Sequence, residues 1–175
     1  YYRFMPVRIS GFEAVVGRLG YTGEAGFEVI LPASAAAETW ARLAAHAQPS
    51  GFAAADILRI EAGFVLFAHE FRLPVTAVEA GVETFAPAGK PCSPDRLRLV
   101  CFTAETVAKP VLWQPLDHMK RPGPGEITVT SACWSPHLDR VLGLGYVRVA
   151  DIDSGQRIRD PSGEFDGIRF ESRPA

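Results

Sequence analysis

Residues 17–28, GRLGYTGEAGFE, carry glycine at 17, 20, 23 and 26, every third position, around Tyr21, Glu24 and Glu28. Neither common glycine-rich phosphate loop fits. A dinucleotide loop needs G-x-G-x-x-G, and a P-loop needs a lysine and a Ser or Thr after its last glycine. Two readings remain. The glycines can mark a chain of tight turns where a Cβ would clash. Alternatively, the loop shapes a surface on which an aromatic ring and carboxylates meet a flat heterocycle that donates hydrogen bonds. A pterin is such a ligand, because its 2-amino group and adjacent ring N–H are parallel donors that one ionised carboxylate can accept together. Glu28, next to Phe27 at the start of an apolar run, is better placed for this than Glu24. An edge-strand glutamate facing water would show the same pattern.

Other chemistry-bearing residues have plainer readings. Arg59-Ile60-Glu61-Ala62-Gly63 suits a helix end held against a sheet, and Glu79 in VEAG suits a turn cap. His69-Glu70 could work as an acid–base pair, but such a pair is common on a solvated surface. Ser135, His137 and Asp139 are close in sequence, which does not make a triad. His46, His118 and His137 are scattered, so no metal site is expected. Trp113 and Trp134 read as core or interdomain residues.

The elements that must carry these residues follow from patterning. Residues 1–10 and 13–19 read as strands around Gly11, and Phe27 to Leu31 reads as a third, stopped by Pro32. A helix is expected from Ser34 as N-cap, with Glu38 and Arg42 paired and Trp40, Leu43 and Ala44 on one face. Pro49-Ser50-Gly51 ends it, and a second helix from about Ala53 carries Ile57, Ile60 and Phe64 on a broad apolar stripe closed by Gly63. Pro87, Gly89, Pro91 and Pro94 then crowd into ten residues, which puts a domain boundary between 86 and 87. Beyond it the runs 96–103, 125–132, 141–150 and 165–170 read as short strands of a small antiparallel barrel or sandwich.

Composition excludes several classes. The 175 residues suffice for one ordinary domain or two small ones, and 47% hydrophobic with 22% charged residues is a globular composition. A net charge of −2, from 18 basic and 20 acidic residues, gives no clustered basic excess for nucleic acid. Cys92, Cys101 and Cys133 are too few and too scattered for a disulfide framework or a CxxC metal knuckle, so reduced thiols in a cytoplasmic or matrix setting are expected, the cytoplasm first. No run approaches the roughly 18 apolar residues of a membrane span. The opening Tyr1-Tyr2-Arg3-Phe4 has neither a starting Met nor a signal pattern, which suggests that the chain begins inside a longer protein.

Three segments carry a family resemblance. YYRFMPVRISGFEAVVGRLGYTGEAGFEVILP and GFAAADILRIEAGFVLFAHE resemble the folate-binding region of the glycine-cleavage T-protein (aminomethyltransferase) family. ITVTSACWSPHLDRVLGLGYV is similar to the C-terminal domain of that family. The resemblance implies an α+β fold: the C-terminal part of a folate-binding α/β domain over 1–86, then a β-barrel or jelly-roll-like domain over 87–175. It also implies a tetrahydrofolate-dependent one-carbon transferase, moving an aminomethyl or methyl group from a small-molecule donor, with a lipoyl carrier protein as a partner. By motif the family's folate-contacting tyrosines and pterin-binding glutamate fall on Tyr2, Tyr21 and Glu28. The family's catalytic aspartate lies upstream of this chain. Where the family has Arg-Asp, this chain has Ala55-Asp56, so an arginine expected to reach folate is missing, and Arg59 one turn later is no assured replacement. That departure keeps two alternatives open: an O-, S- or N-demethylase relative, and a non-catalytic folate-binding or assembly module.

Overall fold

The computed structural model describes residues 2–85, 96–105, 112–113 and 119–171. These form a mixed α/β chain with two antiparallel sheets. The chain divides into two compact units, 1–55 and 56–175. The boundary expected between residues 86 and 87 falls at 86–95, outside the described residues.

In the first unit, strands β1 (Arg3–Ile9), β2 (Phe12–Arg18) and β3 (Glu28–Ile30) lie in the order β1-β2-β3. The Ser10-Gly11 turn joins the first two, both residues having positive φ (51° and 83°), as a tight hairpin of matching twist requires. Helix α1 (Ala33–Ala44) follows. It starts one residue before the expected Ser34 cap, because Pro32 occupies the cap position with φ −58° and its carbonyl accepts the Ala35 N–H at 2.9 Å. The buried face of α1 is Ala35 and Thr39, four residues apart, whereas Trp40 and Leu43 stay exposed. The apolar stripe read from sequence is therefore not the packed one.

Helix α2 (Phe52–Glu61) ends at Gly63, whose φ of +70° is the left-handed conformation expected there. In the second unit a single helical turn, α3 (Phe67–Glu70), precedes a five-stranded sheet. Its strands are β4 (Leu97–Glu105), β5 (Leu112–Trp113), β6 (Ile127–Ser135), β7 (Arg140–Arg148) and β8 (Asp166–Glu171), in the order β5-β6-β7-β4-β8. β7 stops two residues short of the expected end, where helix α4 (Val149–Ser154) begins.

Both faces of the sheet are covered, which explains strands that read as near-continuous apolar runs. On β4, Val100 and Phe102 join one core with Ile127, Val129, Ala132, Val141 and Phe165. Leu97, Leu99 and Cys101 point the other way and pack with Leu144, Tyr146, Leu73 and Ala80. Ile60 of α2 packs on Cys133 and Leu142 on that second face. Among the described residues the sheet has two edges, β5 and β8, and no ladder closes it into a barrel. The edges nevertheless approach: Trp113 Nε1 donates to Glu164 at 2.6 Å, and its ring meets Phe165 edge-on at 5.6 Å.

Candidate functional site

Antiparallel order brings the three sequence-predicted ligand residues to one end of the first sheet. Tyr2 precedes β1, Tyr21 follows β2, and Glu28 opens β3. The Tyr2 N–H donates to the Arg18 carbonyl at 3.0 Å, and Tyr2 itself has a φ of 59°. Register sets Phe4, Gly17 and Glu28 side by side across the three strands, and Pro6, Val15 and Ile30 form a parallel row two residues on. Because side chains alternate, these two rows share one face. A groove of about 690 Å³ on the unit is lined by Pro6, Val15 and Ile30, with Arg8 and Glu13 among its walls. Glu28 thus stands one row beyond the apolar groove, on the same face.

All three residues are exposed, Tyr21 at 42% and Tyr2 at 79%. Glu28 makes no side-chain hydrogen bond or ion pair within the described residues. The loop between Tyr21 and Glu28 is held from β2. Arg18 Nη1 donates to the Gly26 carbonyl at 2.8 Å, and its guanidinium lies 5.0 Å from the centroid of the Phe27 ring. The glycines divide by role. A Cβ at Gly17 would meet Leu19 Cδ2 at 2.7 Å, and Gly23 has a φ of +75°, but a Cβ at Gly20 or Gly26 would meet nothing within 4 Å. Steric clash therefore accounts for only part of the threefold glycine spacing.

The second unit holds a charged cluster that sequence reading did not assemble. Arg59 is 1% exposed and Glu70 0%. Each of the five N–H groups of Arg59 has an acceptor. Nε donates to Asp56 Oδ1 at 2.6 Å. Nη1 donates to the Phe64 carbonyl at 3.2 Å and to Glu70 Oε2 at 3.3 Å. Nη2 donates to Ser131 Oγ at 2.8 Å and to His69 Nδ1 at 3.2 Å. Glu70 is equally filled: Oε2 also accepts the Leu66 N–H at 2.5 Å, and Oε1 accepts the hydroxyls of Thr130 at 2.8 Å and Ser131 at 2.5 Å.

A β-bulge makes this possible. β6 pairs Val129 with Gly145 and Ser131 with Leu144, so Thr130 is the extra residue. Val129 before the bulge and Ala132 after it face the same core, which leaves Thr130 and Ser131, although consecutive, both turned toward Glu70. A second tie runs from Ser135, whose hydroxyl donates to Glu61 Oε1 and accepts the Leu138 N–H at 3.0 Å. Ser135 is thus a strand-to-helix fastener and not part of a triad.

Arg59 holds α2 to the sheet, as its sequence position suggested. Glu79 also has the expected capping role: it accepts the Thr76 N–H at 2.8 Å and the Leu97 N–H at 2.9 Å, and Arg121 Nη2 lies 3.4 Å away. Burial pushes the Glu79 carboxyl upward, but these N–H donors, the Thr76 hydroxyl and Arg121 outweigh it and hold the group below its ordinary value. His69-Glu70 is not a solvated surface pair. Burial, with help from Arg59 and Arg72, holds the His69 pKa below 6.5 against the opposing pull of Glu70 and Asp56. Burial beside Glu61 pushes the Cys133 thiol up to about 12, so it is no nucleophile. Among the described residues no three His, Cys, Asp or Glu side chains converge as a metal site. No helix there is long and apolar enough to cross a membrane. His118 and Cys92 lie outside the described residues.

The comparisons agree with this architecture. A family model described as the GCVT N-terminal domain matches residues 1–90. A probable aminomethyltransferase of Halobacterium salinarum (strain ATCC 29341 / DSM 671 / R1) is 36% identical over 165 residues, 87% of this chain and 45% of that protein. An aminomethyltransferase of Synechococcus elongatus is 37% identical over 163 residues, covering 86% and 43% of the two chains. The crystal structure of glycine cleavage system aminomethyltransferase T from Bartonella henselae matches with a TM-score of 0.59 and 26% identity, over 78% of this chain and 42% of that one. The chain spans less than half the length of these relatives. Its mixed α/β architecture with antiparallel sheets is similar to a T-protein fold. The chain belongs to the glycine-cleavage T-protein family.

Proposed function

We propose that this chain is the folate-holding portion of a tetrahydrofolate-dependent one-carbon transferase of T-protein type, acting in the cytoplasm on a small one-carbon donor, with a lipoyl carrier protein as partner. The supporting observation is the register that sets Glu28 on the same sheet face as the apolar groove, with Tyr2 and Tyr21 at the same end. That arrangement fits a reduced pteridine. The Glu28 carboxylate, unused by the described protein, accepts the paired donors of the aminopyrimidine edge, and the tyrosine rings offer flat apolar contact. Bound tetrahydrofolate would supply the nitrogen that takes the one-carbon group. The residues described here bind and orient it, and no bond-making step is assigned to them.

The demethylase alternative has one specific observation in its favour. Ala55 lacks the family's cation, and Arg59 cannot stand in for it, since all five of its donors are engaged. Calorimetric titration of the protein with tetrahydrofolate tests the main reading. Glu28→Gln keeps the shape but loses a charge-assisted double contact, an expected weakening of about 1.5–3 kcal/mol. Unchanged affinity in that variant removes the pterin assignment.

A further inference from the structure

Strand β3 is a three-residue edge strand, and all three of its residues are exposed. Little burial holds it, and its ladder to β2 starts at the Gly17–Glu28 rung. A strand end of this kind frays unless something outside the ladder ties it down. Glu28 sits at that end. Arg18 supplies the tie. It follows Gly17 on β2, so alternation turns its half-buried side chain to the sheet face opposite Glu28 and the groove. There Nη1 donates to the Gly26 carbonyl, and the guanidinium lies over the Phe27 ring. Those are the two residues that lead into Glu28. The Arg18 carbonyl meanwhile accepts the Tyr2 N–H, so one residue sets the backbone on both sides of this end of the sheet.

We propose that Arg18 is a positioning residue: it touches no ligand, and it aims the Glu28 carboxylate by clamping Gly26 and Phe27 from the opposite face of the sheet. The gain is preorganisation. A carboxylate that accepts two parallel donors must present both oxygens in one direction, and a loose strand end would spend affinity on being ordered. An arginine paired with Glu28 itself would order it equally well but would occupy the same oxygens. Gripping the preceding residues from behind leaves them to a ligand, and Glu28 makes no ion pair among the described residues. That this ligand is a pteridine rests on the reading above; the clamp does not.

The test compares the full protein with Arg18→Met, Arg18→Lys and Phe27→Leu. The readouts are amide hydrogen exchange without ligand, urea unfolding, and calorimetric titration with tetrahydrofolate. In Arg18→Met, exchange across residues 26–30 should quicken by about five- to tenfold, the worth of one hydrogen bond and one cation–π contact. Tetrahydrofolate should bind more weakly by a similar factor, with the urea midpoint at its parent value. Arg18→Lys keeps a cation near the Phe27 ring and should recover part of both effects. Adding Phe27→Leu to Arg18→Met should cost nothing further, because both changes remove the same clamp. Should Arg18→Met not fold, Phe27→Leu alone carries the same readouts. Unchanged exchange across 26–30 overturns the proposal, whatever binds. So does unchanged tetrahydrofolate affinity in Arg18→Met when Glu28→Gln lowers it. Faster exchange across the whole first unit with a lower urea midpoint marks Arg18 as a general stabiliser and also overturns it. If the strand end loosens as expected while the parent and Glu28→Gln bind tetrahydrofolate alike, the folate reading alone fails.

Discussion

Replacing Arg59 by Met removes the guanidinium while keeping most of the length of the side chain. Glu70 then remains as a carboxylate with 0% exposure, still holding Leu66 N–H, Thr130 and Ser131 but facing no cation. Breaking a buried ion pair by removing one partner costs about 3–5 kcal/mol. The three surviving donors put this case near the lower end, at about 3–4 kcal/mol, because they still solvate the charge. With a urea m-value of about 2 kcal/mol per M, the unfolding midpoint should fall by about 1.5–2 M. Tryptophan fluorescence can follow the second unit alone in a Trp40→Phe background, since Trp113 and Trp134 both lie there and the exposed Trp40 is the only other tryptophan. Adding Glu70→Gln to Arg59→Met should recover part of the loss, with a coupling energy of at least about 1 kcal/mol. A midpoint shift below about 0.5 M, or strictly additive losses in the double variant, would refute the view that a charge-balanced buried pair ties α2 to the sheet.

Two further perturbations probe the same unit. A Cβ at Gly143 would meet the Ser131 carbonyl oxygen at 2.6 Å and Phe102 Cζ at 2.5 Å, so Gly143→Ala should destabilise by about 1–3 kcal/mol in urea unfolding. An unchanged midpoint would mean that β6 and β7 separate without strain. Acidification should lower stability in two stages. His69 has a folded pKa below 6.5, so the unfolded chain gains its proton first, and stability present above pH 6.5 is lost as pH falls through the folded value. Glu79, held below 4.5, contributes stability that is present above pH 4.5 and lost as pH falls further. His69→Gln should flatten the first stage and Glu79→Gln the second, and a midpoint that rises on acidification contradicts both assignments.

Strands were the most legible part of the chain because their signal is local. Runs such as RLRLVCFT and GEITVTSA carry β-branched and apolar residues that no helix would arrange better, and their ends moved by only a few residues. The packed face of α1 was misread because alanine and threonine carry little hydrophobic signal, yet Ala35 and Thr39 are the residues the helix buries, while Trp40 and Leu43 stay exposed. The ends of the loop between β2 and β3 were legible through Tyr21 and Glu28. The Arg18 contacts that pin it were not, since a lone arginine at a strand end announces no partner. The Arg59 cluster joins residues up to 72 positions apart. One clue was available: Arg59 sits beside Ile60 on a broadly apolar helix, where a charge is tolerated only if it is paired.

The extra residue in β6 places an unusual limit on the length of the chain at that point. Removing Thr130 would give an unbroken ladder and leave Val129 and Ala132 facing the same core, so hydrophobic pattern alone would not object to the shorter strand. What would be lost is one of the two hydroxyls on Glu70, that of Thr130, whose single proton also faces the Leu144 carbonyl at 3.1 Å. An alignment gap at this position would therefore signal a relative whose buried Glu70 counterpart has one hydrogen-bond donor fewer, even where every neighbouring apolar residue is retained.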